Sequence, residues 1–380
     1  MEQTPRRASP HAAASPHATT RPDGIASDSG GSSAAGSVGT APSRSISLAL
    51  QGGGAHGAFT WGVLDRLLEE PDLHIAAISG SSAGALNGAA LAAGLAAGGP
   101  TEAKANLQRL WEHVTQAGLL MSLLHLPIKK PGLGVWDEAM PLLSPYMTNP
   151  LSLEPLRYAL TMAIDVDRLR DPAAPPLFVN AVNVNTGQSR VFGPDEQSIA
   201  TLMASACAPM IFPAVQIDGQ SYWDGSYGGN PMLWPLYDGQ EQAVDILMVE
   251  LTPLQRAETP TSAKDILSRI NEIASINGLV AELRALDCAC RDGRRAPVRL
   301  HMLSFPDAAS AADLEPSTKR TVGPLLYSSL RSRGHAACDG WLARHGSDIG
   351  LRSSMAVDDR FLGPYTLGGT SRSAVPSAPV

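Results

Sequence analysis

The sequence predicts an α/β fold with a largely parallel central sheet, and three observations lead to this prediction. Short apolar runs of strand length alternate with helical stretches between residues 44 and 351. The runs are apolar throughout, which is typical of strands covered by helices on both faces. The 380 residues are 44% hydrophobic, which is ample for a buried core. Layers of helices on a buried sheet follow from this pattern.

The predicted elements follow these runs in chain order. Five strands are predicted over residues 46–51, 74–79, 177–184, 245–251 and 298–305. Helical patterns follow the first strand up to residue 70 and the second strand over 83–97, and further helices are predicted over 196–206, 263–286 and 322–344. The sequence contains no internal repeat.

The composition excludes several classes of partner and cofactor. Lys and Arg total 29 against 36 Asp and Glu, a net charge of −7, and no basic block stands out. Nucleic acid is not expected as a partner, because phosphate neutralisation requires a concentrated basic face. Cys207, Cys288, Cys290 and Cys338 have neither disulfide-framework nor zinc-site spacing, and no EF-hand-like run is present. No metal or other cofactor is predicted.

The two ends of the chain differ in composition from the middle. Residues 1–43 and 352–380 are rich in Ser, Gly and Pro, and such segments bury too little surface to offset their ordering entropy. Both are expected to be disordered tails, the first without a signal-peptide core. The uncharged stretch 75–99 has the length of a membrane span, but Ala, Gly and Ser dominate it. We expect no transmembrane helix and a cytoplasmic location.

A glycine loop follows the first predicted strand. Residues 52–57 satisfy G-x-G-x-x-G between a strand and a helix, which is the context of a dinucleotide-binding loop. That fingerprint also requires an acidic residue at the end of the second strand, where this chain has "SGSSAGAL"; Asp72 precedes the strand. A nucleotide-binding protein is therefore disfavoured, and the loop is predicted to hold some other negative charge.

The second predicted strand ends in a G-x-S-x-G motif at Gly80, Ser82 and Gly84. Small residues around the central serine permit a tight strand-to-helix turn that exposes its hydroxyl above the sheet. A helix N-terminus also favours developing negative charge. Ser82 is therefore a candidate nucleophile, and the alternative is a simple helix N-cap.

A serine hydroxyl needs a base to act as a nucleophile. His301, His335 and His345 come late enough in the chain for the usual order of serine, acid and histidine, but none lies in a distinctive loop. The segment "YWDGSYGGNPMLWPL" (222–236) instead places Asp224 on a glycine-rich turn, from which a carboxylate can approach a serine closely. The alternative for Asp224 is an ordinary turn residue.

Together, the glycine loop, the G-x-S-x-G elbow and the Asp-Gly segment resemble the patatin-like phospholipase family, as does "MASACAPMIFPAV" (203–215). The resemblance covers about residues 44–305, and residues 325–350 resemble the C-terminal extension of bacterial members. It implies a three-layer α/β/α patatin-like fold. A domain over 44–306 and a helical extension over 307–351 are expected.

The resemblance also implies an activity and a set of site residues. The activity is hydrolysis of lipid esters, of the phospholipase A, lysophospholipase or esterase type, through an acyl-enzyme and without a cofactor. Ser82 would be the nucleophile and Asp224 its base, a Ser-Asp dyad without histidine. Gly52, Gly53 and Gly54 would form the oxyanion hole, supported by Gly57, Gly80, Gly84 and Gly225. A catalytically inactive patatin-fold scaffold or regulatory protein is the alternative.

Two residues depart from the family pattern. His56 stands where members often have Arg, and Ser226 follows Asp224-Gly225 where Gly or Ala is usual. An apolar stretch, 119–126, follows Trp111 and precedes Lys129 and Lys130. Ordinary core packing or a hydrophobic helix seam is the favoured interpretation of this stretch, and an acyl-chain groove or a lid in peripheral contact with a membrane is the functional alternative.

Overall fold

The computed structural model describes residues 44–124, 144–148, 153–256, 258–309 and 318–362. These residues contain eight strands: β1 (Arg44–Leu50), β2 (Leu73–Gly80), β3 (Leu177–Asn183), β4 (Ser189–Phe192), β5 (Val215–Ile217), β6 (Gln220–Asp224), β7 (Val244–Glu250) and β8 (Val298–Ser304). All five predicted strands are present, with bounds that differ from the predictions by at most two residues. The strands β4, β5 and β6 were not predicted, because they are only three to five residues long and contain no continuous apolar run.

The longer helices are α1 (Gly57–Leu67), α2 (Ala83–Leu124), α3 (Glu154–Ala163), α4 (Ile199–Ser205), α5 (Ala263–Arg291) and α6 (Pro324–His345), and Pro145–Thr148 and Phe305–Ala308 form single turns. Helix α2 is broken at Gly98 and Gly99, where the backbone leaves the helical region. Pro100 begins the second half of α2, because proline is tolerated in the first turn of a helix. No helix among the described residues is long and apolar enough to cross a membrane.

The sheet has a parallel centre and an antiparallel edge. Strands β3, β2, β1, β7 and β8 lie side by side in that order and run parallel. Strands β4 and β6 pair antiparallel with β3, and β5 pairs antiparallel with β6. The prediction of a largely parallel central sheet is confirmed.

Helices cover both faces of the sheet. Along β7, Leu247 and Val249 belong to one core cluster, together with α1, α2 and α6, whereas Ile246 and Met248 belong to a second cluster that contains α5. Successive strand side chains point to opposite faces, so the two clusters are the two sides of one sheet. The three-layer α/β/α architecture follows.

Helix α6 packs closely on α1 and completes the first of these layers. A Cβ added at Gly62 would lie 1.9 Å from the carbonyl oxygen of Arg331. A Cβ added at Gly334 would lie 2.0 Å from the carbonyl oxygen of Phe59. The two helix backbones can approach this closely only because glycine stands at both positions. The C-terminal helix therefore shares the hydrophobic core of the strands that precede it.

The expected C-terminal tail begins at residue 352, and the structure describes its first part. The N–H groups of Ser354 and Met355 donate to the Leu300 carbonyl of β8. Phe361 and Leu362 are buried in the second core cluster. Residues 352–362 thus pack against β8 because they supply hydrogen bonds and apolar side chains to it. Residues 1–43 and 363–380 lie outside the described residues.

Candidate active site

Strand β3 brings the elbow and the Asp loop together. Val179 of β3 pairs with Gly80 of β2, and two residues further along Ala181 pairs with Asp224 of β6. Strand β4 occupies the opposite edge of β3 at both positions, so β2 and β6 share one edge. They end head to head, about 7 Å apart along β3. This arrangement brings Ser82 of the elbow and Asp224, which are 142 positions apart in sequence, to one site.

Ser82 lies at the turn between β2 and α2. Its φ of +51° is in the left-handed region, which a non-glycine residue adopts at a cost of about 1–3 kcal/mol and mostly at functional sites. Its N–H donates to the Ser205 hydroxyl over 2.9 Å. The side chain stands at the N-terminus of α2, where the helix dipole favours negative charge.

Four predicted supporting glycines lie where no side chain fits: Gly57, Gly80, Gly84 and Gly225. An added Cβ at Gly84 would lie 2.1 Å from the Leu50 carbonyl oxygen, and one at Gly225 would lie 2.0 Å from the Asn180 carbonyl oxygen. The elbow and the Asp loop can therefore reach the strands beneath them only with glycine at these positions.

Asp224 ends β6 as a buried carboxylate. Its Oδ1 accepts hydrogen bonds from the backbone N–H of Ser226 over 2.9 Å and from the Ser226 hydroxyl over 2.7 Å. Burial raises the pKa of Asp224, while the two bonds from Ser226 and the interaction with the Ser82 hydroxyl lower it. The net shift is upward. The carboxylate thus stands beside the serine and is a stronger base than an exposed Asp.

Asn180 of β3 connects the Asp loop to the elbow. Its side-chain N–H groups donate to the carbonyl oxygens of Gly225 (2.7 Å) and Gly229 (2.9 Å), and its Oδ1 accepts from the Ser81 hydroxyl (2.5 Å). The sequence interpretation missed this residue. The available signal was a single asparagine in the otherwise apolar run "LFVNAV".

Asn230 connects the Asp segment to the glycine loop. Its Oδ1 accepts from the Gly52 N–H over 2.6 Å, and its side-chain nitrogen donates to the Gly52 carbonyl over 3.2 Å and to the Ser275 hydroxyl over 3.0 Å. The Gly52 N–H is therefore already engaged. Within the described residues, no acceptor is found for the N–H groups of Gly53 and Gly54.

His56 anchors the other end of the glycine loop. Its ring is buried, packs against Phe305 with ring centroids 4.6 Å apart, and lies 2.8 Å from the Thr318 hydroxyl through Nε2. The residue that departs from the family pattern thus fixes the loop to the segment before α6.

Two cavities meet at Ser82. One has a volume of about 560 Å³ and is lined mainly by apolar side chains, among them Leu86, Leu110, Trp111, Val114, Leu156 and Tyr327. The other, of about 270 Å³, is lined by the glycine loop, Asp224, Ser226, Asn230 and polar side chains of α5. Seven residues line both cavities: Gly54, Ser82, Lys319 and the apolar Ala206, Met210, Ile211 and Phe212. Ser82 thus faces an apolar cavity on one side and a more polar cavity, called the polar cavity below, on the other.

The candidate acyl-chain groove, residues 119–126, lies only partly within the described residues. Trp111 and Gly118 line the apolar cavity, and Leu119 is 44% exposed. Residues 125 and 126 of the stretch, with Lys129 and Lys130, lie outside the described part of the chain.

The other titratable residues considered from sequence lie away from Ser82. His301 bonds to Asp245 and Ser354, and neither it nor His335 or His345 lines the two cavities. All four cysteines are thiols. Among the residues that the structure describes, no group of three or more His, Cys, Asp or Glu side chains could hold a metal ion.

The fold and the site define an α/β protein with a serine on a strand-to-helix elbow beside a buried carboxylate. The family model described as "Patatin-like phospholipase" matches residues 48–237, half of the chain. The chain belongs to the patatin-like phospholipase family, a family of lipid hydrolases.

Two solved structures are similar to this chain at 15% sequence identity. The first is VipD from Legionella pneumophila, with 80% of this chain and 68% of that chain covered at a TM-score of 0.39. The second is the ExoU-SpcU heterodimeric complex from the type III secretion system of Pseudomonas aeruginosa, with 78% and 52% covered at a TM-score of 0.27. The chain thus spans about half of the second matched chain. A search of curated proteins gives no match.

Proposed function

We propose that this protein is a serine acyl hydrolase of lipid esters that uses Ser82 and Asp224 as a catalytic dyad. One observation carries the proposal. Ser82 is held at a left-handed elbow beside the buried Asp224, on the wall that an apolar and a polar cavity share. A lipid ester has the same division, with an acyl chain on one side of the carbonyl and a polar alcohol on the other.

In the first half of the reaction, Asp224 takes the proton of the Ser82 hydroxyl as Oγ attacks the ester carbonyl carbon. The tetrahedral intermediate then collapses, the bond from carbon to the alcohol oxygen breaks, and that oxygen takes the proton from Asp224. In the second half, a water molecule loses a proton to Asp224 and attacks the acyl carbon. The bond to Oγ breaks, Ser82 recovers its proton, and the fatty acid leaves.

The oxyanion donors of this mechanism are the N–H groups of Gly53 and Gly54. The Gly52 N–H bonds to Asn230 and is assigned to positioning the loop instead. The N-terminus of α2 behind Ser82 adds a favourable dipole. Removing one such donor typically costs on the order of a hundredfold in rate.

The apolar cavity is assigned to the acyl chain. Its apolar lining and its opening at Ser82 would hold an alkyl chain with the carbonyl at Oγ. Because a carboxylate is a weaker base than imidazole, esters rather than amides are the expected substrates. Peripheral membrane contact and a cytoplasmic location stay predictions.

Substitution of each dyad residue tests this assignment. Ser82→Ala is expected to abolish turnover of a soluble short-chain ester. Asp224→Asn is expected to lower kcat by roughly a hundredfold or more, because it removes the general base. Asp218→Asn is the matched control, because Asp218 lies on the exposed turn between β5 and β6 and lines neither cavity. Near-normal turnover by Asp224→Asn, with turnover lost in Ser82→Ala, would show that Asp224 is not the base.

A further inference from the structure

Lys319 lies on the wall of the site although it belongs to the segment before α6. It lines both cavities, and its carbonyl oxygen lies against Gly54. Its ammonium Nζ donates to Glu272 of α5 over 3.1 Å. Glu272 lines the polar cavity and not the apolar one, so the charged end of Lys319 lies on the polar side of Ser82.

The carboxylate that holds Lys319 is already neutralised by two arginines. Arg256 donates to both oxygens of Glu272 over 2.8 and 2.9 Å, and Arg269 donates to one of them over 3.2 Å. Burial alone would raise the pKa of Glu272, but the Arg256 hydrogen bonds and the Lys319 charge lower it to about 2. Glu272 thus faces three cations, and of these only Lys319 lines the polar cavity.

The Lys319 ammonium also has hydrogen-bonding capacity left over. An ammonium has three N–H donors, and in the part of the chain that the structure describes Nζ donates to Glu272 alone. The side chain is only 19% exposed, so water has limited access to the other two donors. Burial lowers the pKa of Lys319 and the Glu272 carboxylate only partly opposes this shift, so an anionic acceptor in the cavity would stabilise the charged ammonium and use its remaining donors.

From this arrangement we infer that Lys319 binds a phosphate oxyanion on the alcohol part of the lipid substrate. The inference rests on the proposed function, since it takes the apolar cavity for the acyl chain and the polar cavity for the alcohol. Lys319 then selects phosphate-bearing lipid esters over neutral acylglycerols with the same acyl chain. This specificity residue lies outside residues 48–237, the part that matches the family model.

A matched pair of monomeric substrates tests this role. They are 1-decanoylglycerol 3-phosphate and 1-decanoylglycerol, used below their aggregation concentrations so that a lipid surface plays no part. Lys319→Met is expected to lower kcat/KM for the phosphate ester by roughly ten- to a hundredfold, the effect of losing a charged hydrogen bond. The value for the neutral ester is expected to change by less than about threefold. Lys319→Arg is expected to retain most of the preference.

Lys104→Met is the matched control for loss of a positive charge. Lys104 pairs with Glu69 and lines a cavity that contains neither Ser82 nor Asp224. Its substitution is expected to leave both substrates unaffected. If Lys319→Met does not fold, Lys319→Arg and inhibition of the wild-type enzyme by inorganic phosphate still test the site.

The outcomes separate this inference from the proposed function. Absence of hydrolysis of either ester by the wild type would contradict the proposed function itself. Equal loss on both esters in Lys319→Met would show a structural role and overturn the inference. A third result would also overturn the inference: inorganic phosphate inhibits only when Lys319 is present, while the wild type shows no preference between the two esters. The ammonium would then bind free phosphate rather than the lipid.

Discussion

Ser226 is the residue that contacts the proposed base, Asp224, most directly. Its hydroxyl and its N–H both donate to Oδ1 of Asp224. Both bonds are made to the ionised carboxylate and oppose the upward shift of the Asp224 pKa that burial causes. The departure from the family pattern at this position thus adds a donor that stabilises the active, ionised form of Asp224.

Ser226→Ala is expected to move the acid limb of kcat/KM to higher pH. A general base works when deprotonated, so activity falls as the pH drops through its pKa. Loss of the hydroxyl donor raises that pKa further. Among the described residues, Lys319, Glu272, Tyr227 and Cys207 are the other titratable groups near Asp224, and the substitution replaces none of them. Ser226→Thr keeps a hydroxyl and is the control. An unchanged pH profile in Ser226→Ala would show that the Ser226 hydroxyl does not control the pKa of Asp224.

The residues that hold the site together were harder to predict than the two that are proposed to react. Ser82 and Asp224 lie in short local motifs, which are visible in sequence. Asn180, Asn230 and Lys319 act through contacts with Gly225, Gly52 and Glu272, which lie 45, 178 and 47 positions away in sequence. No local pattern encodes such contacts, because they exist only once β3, the Asp segment and α5 are assembled.

At the scale of elements, the accuracy of prediction follows burial. The five strands of the parallel centre are buried on both faces and form continuous apolar runs, so they were predicted. The strands of the antiparallel edge, β4, β5 and β6, are short and partly exposed, and the sequence of β6 is "QSYWD". This missed strand carries Asp224, and its pairing with β3 places the carboxylate beside the elbow. The site geometry therefore depends on the elements with the weakest sequence signal.

The contact between α1 and α6 gives a prediction for stability. Gly334→Ala places a Cβ 2.0 Å from the Phe59 carbonyl oxygen, so the two helices must separate. A loss of about 1–3 kcal/mol in the free energy of unfolding is expected, the usual cost of overpacking. Gly340→Ala in the same helix is the control, because its Cβ meets only the end of the Arg344 side chain, at 3.6 Å. Chemical denaturation measures both, and equal stability of the two variants would contradict the close packing.

At the scale of the molecule, the site combines parts from most of the chain. The family-matched residues 48–237 supply the elbow, the glycine loop and Asp224. Later residues supply β7 and β8 of the sheet, α5 beside the polar cavity, and Lys319. The parallel centre and the reacting residues could be proposed from sequence. The division of the site into an apolar and a polar half could not, because each cavity is lined by elements far apart in the chain.

Labelling of the full chain with a fluorophosphonate, followed by peptide mass mapping, tests directly whether Ser82 is an activated nucleophile. The reagent phosphonylates serines that are activated as nucleophiles. We predict one adduct, on Ser82, with much slower labelling in Asp224→Asn and unchanged labelling in Asp218→Asn. No adduct on folded protein would favour the inactive scaffold, and an adduct on a different serine would contradict the assignment of the site.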